Sequence, residues 1–420
     1  MTGSVEAGPA GPDASAPRRM GAWGAAFIAF NGAVGAGIFG LPGKLDQAVG
    51  AFAPWLLLLA GGAVMLVALC LADLAARYDR SGGPQLYVTE AFGPFAGFQA
   101  GWLIYASRIA ATAANATVLA AYAAALWPAL PQGPVAAAAI VIVTAINLLH
   151  LNRVAAGLGL LAIAKLLPLA ILVIAGIGFA SPDVTLPDFG AVESVALVAL
   201  YAFVGFEAAA IPAGETRDPR RAIPRALLGT VALITVTYVL VQLAYSAAAI
   251  GGSDRPLADL AALRLGPWGA TLIATTAIVS VFANITSAVA ATPRLTAALA
   301  DEGRLPPWFG KRSAVTAAPI ASILAYGALA LILAATGSFI FLAVVSSLAR
   351  LFVYAASAAA VTAFDRRNGR LRPIMGIAIP LIVLVLCGWA AAQSSATEWA
   401  TLAAFVAAGT LLYLAASRRL

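Results

Sequence analysis

Histidine occurs once in this chain, at His150, and cysteine twice, at Cys70 and Cys387. A single histidine argues against a His-based metal centre. Both cysteines lie inside apolar runs, so they read as small core hydrophobes rather than a disulfide framework. Charge is scarce as well. Only 10% of the 420 residues are Asp, Glu, Lys or Arg, against about 25% in soluble proteins. A chain so poor in charge cannot clothe a water-facing surface. What it has instead is 62% hydrophobic residues and a mean hydropathy of +0.93, a composition for which the bilayer is the natural solvent. The net charge of +7 does not imply a nucleic-acid partner, because the Lys and Arg residues sit in short gaps between apolar runs.

Other classes are excluded by further absences. An enzyme in the membrane would show paired carboxylates, a histidine cluster or a Ser/His arrangement near a span end, and none is present; the chain is not expected to be an enzyme. No loop is long enough to fold as a soluble output domain. The segment Gly35-Ala-Gly37-Ile-Phe-Gly40 fits the dinucleotide-binding pattern literally. That pattern needs a preceding strand and an acidic residue about 20 positions on. Here an apolar span precedes it, so no cofactor is expected. Asn115-Ala-Thr117 and Asn284-Ile-Thr286 fit the glycosylation sequon but lie within spans.

Crossing a hydrocarbon core takes about 20 apolar residues. Twelve runs qualify: 21–40, 51–76, 92–124, 134–151, 154–179, 190–213, 226–250, 267–298, 318–336, 337–363, 373–391 and 396–416. The first twenty residues, rich in Gly, Pro, Ala and Ser, read as a disordered cytoplasmic tail without a signal-peptide core. With both termini in the cytoplasm, nineteen Lys and Arg residues fall at the cytoplasmic gaps and tails and three (Lys44, Arg255, Arg264) at the opposite ones. That asymmetry follows the positive-inside rule. Short loops and Ala/Arg-rich composition suit a bacterial inner membrane.

Two spans carry glycine near their middle: Gly35-Ala36-Gly37 in the first and Val204-Gly205-Phe206 in the sixth. Matching interruptions in two halves of a chain point to an inverted-repeat transporter with its substrate at the breaks. An unpaired backbone group inside a bilayer costs several kcal/mol. Something must satisfy the freed groups. The N–H groups of Ala36, Gly37 and Ile38 would open a half-helix whose positive end suits a carboxylate. The carbonyls of Tyr201, Ala202 and Val204 would suit an ammonium. A site offering both matches a zwitterion. The alternative is that these glycines only let helices pack closely.

Four segments then resemble one family. Asn31-Gly-Ala-Val-Gly35-Ala-Gly37-Ile-Phe39-Gly-Leu-Pro42-Gly43 resembles the first-helix signature of the amino acid–polyamine–organocation permeases. Asp73-Leu-Ala-Ala-Arg77 through Gly82-Gly83-Pro84-Gln-Leu-Tyr87 resembles the loop after the second helix, with Asp73 where glutamate is more usual. Phe203-Val-Gly205-Phe206-Glu207, followed by Gly214-Glu215-Thr-Arg-Asp218-Pro219, resembles the sixth helix and its exit. Ala300-Asp301-Glu302-Gly303-Arg304-Leu-Pro306-Pro307-Trp308 resembles the loop after the eighth. The resemblance implies an all-α membrane protein of about 12 helices with the LeuT-type 5+5 inverted repeat: a ten-helix core over residues 21–363 and two further helices over 373–416. It implies an amino acid held at Gly35, Ala36, Gly37 and Ile38 on one side and at Tyr201, Ala202, Phe203, Val204 and Gly205 on the other. Tyr201 falls where members place a gating aromatic, with Phe203 and Phe206 as nearby alternatives.

Ionisable residues inside spans complete the expectation. Lys165, mid-way through the fifth span, is costly there and should be paired. The resemblance implies that it stands where sodium sits in other LeuT-type transporters, touching the first-helix break and Thr286 or Ser287, and that it shuttles a proton. Arg108, Thr112 and Asn115 share one face of the third span by helical spacing; that polar stripe should face the bundle interior, where Arg108 and Thr112 touch substrate or Arg108 pairs with Glu207. Glu207 is expected to pair with an arginine or a backbone group, and Arg350 either braces the tenth span or touches substrate. Two central arginines against one central carboxylate favour a neutral or acidic amino acid over a cationic one. The expected function is proton-coupled amino acid symport, with amino acid or amine exchange as the alternative.

Overall fold

The computed structural model describes residues 21, 24, 26, 30, 32–79, 81–149, 166–177, 186–211, 213, 216–314 and 316–417. The expectations placed on residues 1–20, Asn31, Arg80, His150, Arg153, Lys165, Gly214, Glu215, Arg418 and Arg419 therefore lie outside the described residues. Among those described, the chain is helical and contains no β-strand. In order the helices are α1 (Ala36–Val49), α2 (Ala53–Ala75), α3 (Gly83–Phe92), α4 (Pro94–Leu126), α5 (Gln132–Leu148), α6 (Leu166–Ile177), α7 (Phe189–Tyr201), α8 (Pro219–Ser246), α9 (Pro256–Asp301), α10 (Ile320–Thr336), α11 (Phe339–Arg367), α12 (Ile379–Ala392) and α13 (Ala396–Ser417). A 3₁₀ turn, Phe206–Ala210, follows α7.

Punctuation in the sequence sets several boundaries. Proline opens α4, α8 and α9, at the position where its missing N–H costs nothing. The apolar run 92–124 is broken at its start, where α3 ends and Pro94 opens α4. Non-helical backbone at Gly266 divides α9, so its apolar part begins at Pro267.

Among the described residues, eight helical segments are long and apolar enough to cross a membrane. Three shorter apolar helices, Gln132–Leu148, Leu166–Gly176 and Ile320–Thr336, stand where the fourth, fifth and ninth runs are expected. Seventeen residues at 1.5 Å each reach only about 25 Å, just short of a 30 Å core.

The bundle is ordered from centre to edge. The apolar window of α4 is 72% buried and that of α13 only 17%. Helix α4 packs on α9, α11, α5, α3 and α10, and α2 lies along α8. The outer faces are apolar, with Leu58 and Leu59 on α2, Leu233 and Val236 on α8, and Leu381 and Val385 on α12 exposed. These are surfaces for lipid tails. Buried polar side chains, among them Thr112, Asn115, Asn284 and Arg350, gather around two places where the backbone leaves the helix.

Candidate functional site

The first break lies at Val34 and Gly35. Residues Gly32 and Ala33 are helical, Gly35 adopts φ −116° and ψ −133°, and α1 restarts at Ala36. The second follows Tyr201. Residues 202–205 form turns, Gly205 has φ +116°, and the 3₁₀ turn begins at Phe206. The breaks touch each other. A methyl group on Gly205 would lie 2.5 Å from the Gly32 carbonyl oxygen, and one on Gly32 would lie 3.2 Å from the Gly205 carbonyl oxygen. Only glycine permits this contact together with the left-handed backbone at 205. Close packing and interruption are thus one feature, not rival explanations of the same glycines.

Several of the backbone groups at and near the breaks are bonded to side chains. The Ala36 N–H donates to Asn115 Oδ1 at 2.6 Å. Asn115 Nδ2 donates to Asn284 Oδ1 at 3.1 Å, and Asn284 Nδ2 to the Gly32 carbonyl at 3.3 Å. Tyr238 donates to the Ala33 carbonyl at 3.2 Å, and Tyr122 to that of Phe39 at 2.8 Å. At the second break the Gly205 N–H donates to Glu207 Oε2 at 3.1 Å. The Tyr201 carbonyl accepts from the Val204 N–H at 3.1 Å, leaving its second lone pair for another donor.

A small cavity lies between the breaks, lined by Gly35, Ala36 and Gly37 on one side, by Tyr201, Val204 and Gly205 on the other, and by Arg108, Thr112, Asn115, Asn284 and Arg350. A water molecule's centre can range over about 30 Å³ inside it, enough for water. A second cavity, of about 300 Å³ by the same measure, opens toward the end of the bundle carrying Lys44 and Asp254. Tyr201 and Phe339 stand between the two, edge to face with ring centroids 6.0 Å apart.

The charged groups form one cluster. Glu207 and Arg350 are ion-paired and both almost fully buried. Arg350 Nε donates to Ser107 Oγ at 2.7 Å, and Tyr354 donates to Glu207 Oε2 at 3.1 Å. Arg108 Nη2 stands 4.0 Å from Glu207 Oε1, with its side chain 15% exposed. Thr112 shares a 2.7 Å hydrogen bond with Tyr326, whose hydroxyl also reaches the Arg108 carbonyl. The polar stripe on α4 therefore faces inward as its spacing requires.

The expected site residues are not all gathered. Ile38, Ala202 and Phe203 are buried but do not line the small cavity. Helical rotation turns Ile38 away from the N-terminal groups beside it. Phe203 lines a separate apolar cavity with Val64, Leu351 and Cys387 and packs on Tyr238. Thr286 donates to the carbonyl of Phe282 one turn back, and neither it nor Ser287 reaches the cavity wall. Sequence reasoning assigned no role to Asn284 or Gly32. The signal for Asn284 was present: an amide deep in an apolar helix must find partners.

The profile of the amino acid permease family matches residues 20–415. The chain belongs to this family. An uncharacterized transporter of Mycobacterium tuberculosis (strain ATCC 25618 / H37Rv) is 29% identical over 384 residues, 88% of this chain and 84% of that protein. The serine/threonine exchanger SteT of Bacillus subtilis (strain 168) is 26% identical over 301 residues, 65% of this chain and 66% of that protein. Amino acid permeases are multi-pass membrane proteins that carry small molecules, and the apolar helices of this chain agree with that setting.

Proposed function

We propose that this permease is a secondary active transporter that moves a neutral or acidic amino acid by alternating access, driven by proton symport. The cavity between the two backbone breaks carries the reading. It sets the N-terminal end of α1 opposite the carbonyl-bearing turn after Tyr201, the pairing a zwitterion needs. The matching breaks in two halves of the chain support a LeuT-type 5+5 core over residues 21–363, with 373–416 as two added helices and twelve spans in all. The distribution of Lys and Arg supports cytoplasmic termini in an inner membrane. On that orientation the larger cavity at Lys44 and Asp254 faces outward, and Tyr201 with Phe339 forms a thin barrier above the substrate. Lys165, by its place in the sequence, is the proposed proton-responsive group, with Thr286, Ser287 and Glu207 as coupling partners.

Exchange is the second reading, favoured by the similarity to a serine/threonine exchanger. Purified protein in proteoliposomes separates the two. The expected result is uptake of a radiolabelled amino acid into empty vesicles, driven by an inward proton gradient. Uptake only into vesicles preloaded with amino acid would establish exchange instead. Transport of no amino acid in either mode would overturn the proposal.

A further inference from the structure

Among the described residues, the charges around the small cavity do not balance. Two guanidinium groups, Arg108 and Arg350, line it, and the carboxylate beside them is that of Glu207. That carboxylate is already committed. Its Oε1 is ion-paired with Arg350, and its Oε2 accepts from the Gly205 N–H and the Tyr354 hydroxyl. Arg350 also donates from Nε to Ser107. Arg108 differs. Its one ionic neighbour among the described residues is Glu207 at 4.0 Å, beyond hydrogen-bond length. Its side chain keeps some exposure and borders the cavity. An excess positive charge inside a bundle is expensive unless an anion joins it.

A zwitterion brings no net charge and leaves that excess in place. An amino acid with a second carboxylate removes it. The geometry agrees. Asn115, at the Ala36 N–H, and Arg108 are seven residues apart on α4, about 10 Å along the axis, and the long arginine side chain spans part of that distance. The cavity thus has an anion-binding helix end at one side and a guanidinium at the other.

We infer that Arg108 is the specificity-determining residue of the cavity, and that it binds the side-chain carboxylate of a dicarboxylic amino acid whose α-carboxylate sits at the N-terminus of α1. This rests on the transport reading above and narrows its substrate to the acidic class. Arg350 serves beside it as the partner that holds Glu207 away from Arg108.

The experiment uses the wild-type protein in proteoliposomes, assayed for uptake and for exchange. Labelled aspartate and glutamate are compared with asparagine, glutamine, serine and threonine. Aspartate and asparagine have nearly the same shape, so charge alone is tested. The expected outcome is at least about a tenfold preference for the acid over its amide, since a charge-assisted bidentate bond is lost with the amide. Arg108→Gln, monodisperse in detergent, should remove that preference and accept the amides, and Arg108→Lys should keep it in weakened form. Wild-type preference for neutral amino acids overturns the inference and leaves the transport reading standing. So does an acid preference that survives Arg108→Gln. Neutral uptake that requires chloride, and loses the requirement in Arg108→Gln, also overturns it, by giving the counter-charge to an inorganic ion. Transport of none of these amino acids overturns both readings.

Discussion

Asn115 accepts a hydrogen bond from the Ala36 N–H at 2.6 Å, so a side-chain amide caps the broken helix at the position proposed for the substrate carboxylate. The contact joins the middle of α4 to the start of α1. A substrate entering there has to take over this N–H, and Asn115 then keeps Asn284 as a partner. Asn115→Asp would fix a negative charge at the helix end. The permanent carboxylate would complete the N–H and repel the incoming one. Apparent substrate affinity should fall at least about tenfold, equivalent to about 1.4 kcal/mol, with the fold retained. Substrate-dependent thermal shift of the purified variant measures this. Undiminished stabilisation by substrate would mean that the carboxylate binds elsewhere.

Gly205 and Gly32 make the tightest backbone crossing of the site. Gly205→Ala would put a methyl group 2.5 Å from the Gly32 carbonyl oxygen on a residue with φ +116°. Left-handed strain and overpacking each cost about 1–3 kcal/mol. The variant should show a lower unfolding temperature in detergent and reduced accumulation in the membrane. Gly62→Ala is the control, because a methyl group there meets nothing within 4 Å.

The breaks were legible in the sequence because glycine inside a long apolar run has few uses, and two such runs at matching places have fewer. The inward stripe of Arg108 and Thr112 was legible from spacing alone. What the sequence did not disclose is the partner of each freed backbone group. Asn284 is 169 positions from Asn115 and 252 from Gly32, so no local pattern connects them. For the same reason Phe203 was expected at the substrate: its neighbours in sequence line the cavity, but the turn after Tyr201 swings it to the other side. The runs 134–151 and 318–336 read as spans in the sequence, and the structure has helices of seventeen residues there, α5 and α10, each just short of a full crossing.

Glu207 and Arg350 form a buried pair, and its halves should respond unequally to mutation. Glu207→Gln leaves Arg350 charged and without its counter-ion, and Arg108 loses its one ionic neighbour among the described residues. Breaking a buried pair costs about 3–5 kcal/mol. Arg350→Met in the Glu207→Leu background removes both charges and should recover most of that stability. It should not recover transport, because the Gly205 N–H loses its acceptor and the second break loses its shape. Unfolding temperatures of the single and double variants, set beside proteoliposome uptake, separate the two effects. Recovery of both together would reduce Glu207 to a replaceable brace.

At the opposite end of the bundle from Lys44, Asp73 on α2 and Asp365 on α11 are bridged by two arginines. Arg77 donates to Asp73 at 2.6 Å and to Asp365 at 2.7 Å. Arg372, just before the π-helical turn at Pro373–Ala378, reaches Asp73 at 2.7 Å and Asp365 at 2.8 Å. The two carboxylates raise the pKa of the Arg372 guanidinium, so its charge is held throughout the working pH range. Two charges of each sign close a ring that ties α2, which follows α1, to α11 and to the chain leading into α12. Arg372 is 42% exposed and the Asp365 side chain 5%, so the two ends of this contact are not equivalent. Arg372→Ala leaves Arg77 bridging the carboxylates and should cost no more than about 1 kcal/mol. Asp365→Ala leaves two guanidinium groups facing one aspartate and should cost about 3 kcal/mol. Thermal unfolding in detergent checks the order of the two variants. If α2 must part from α11 during transport, Arg372→Ala should also raise the turnover rate in proteoliposomes, since the ring then holds one state less firmly. Equal loss of stability in both variants would mean that the ring does not act through its buried carboxylate.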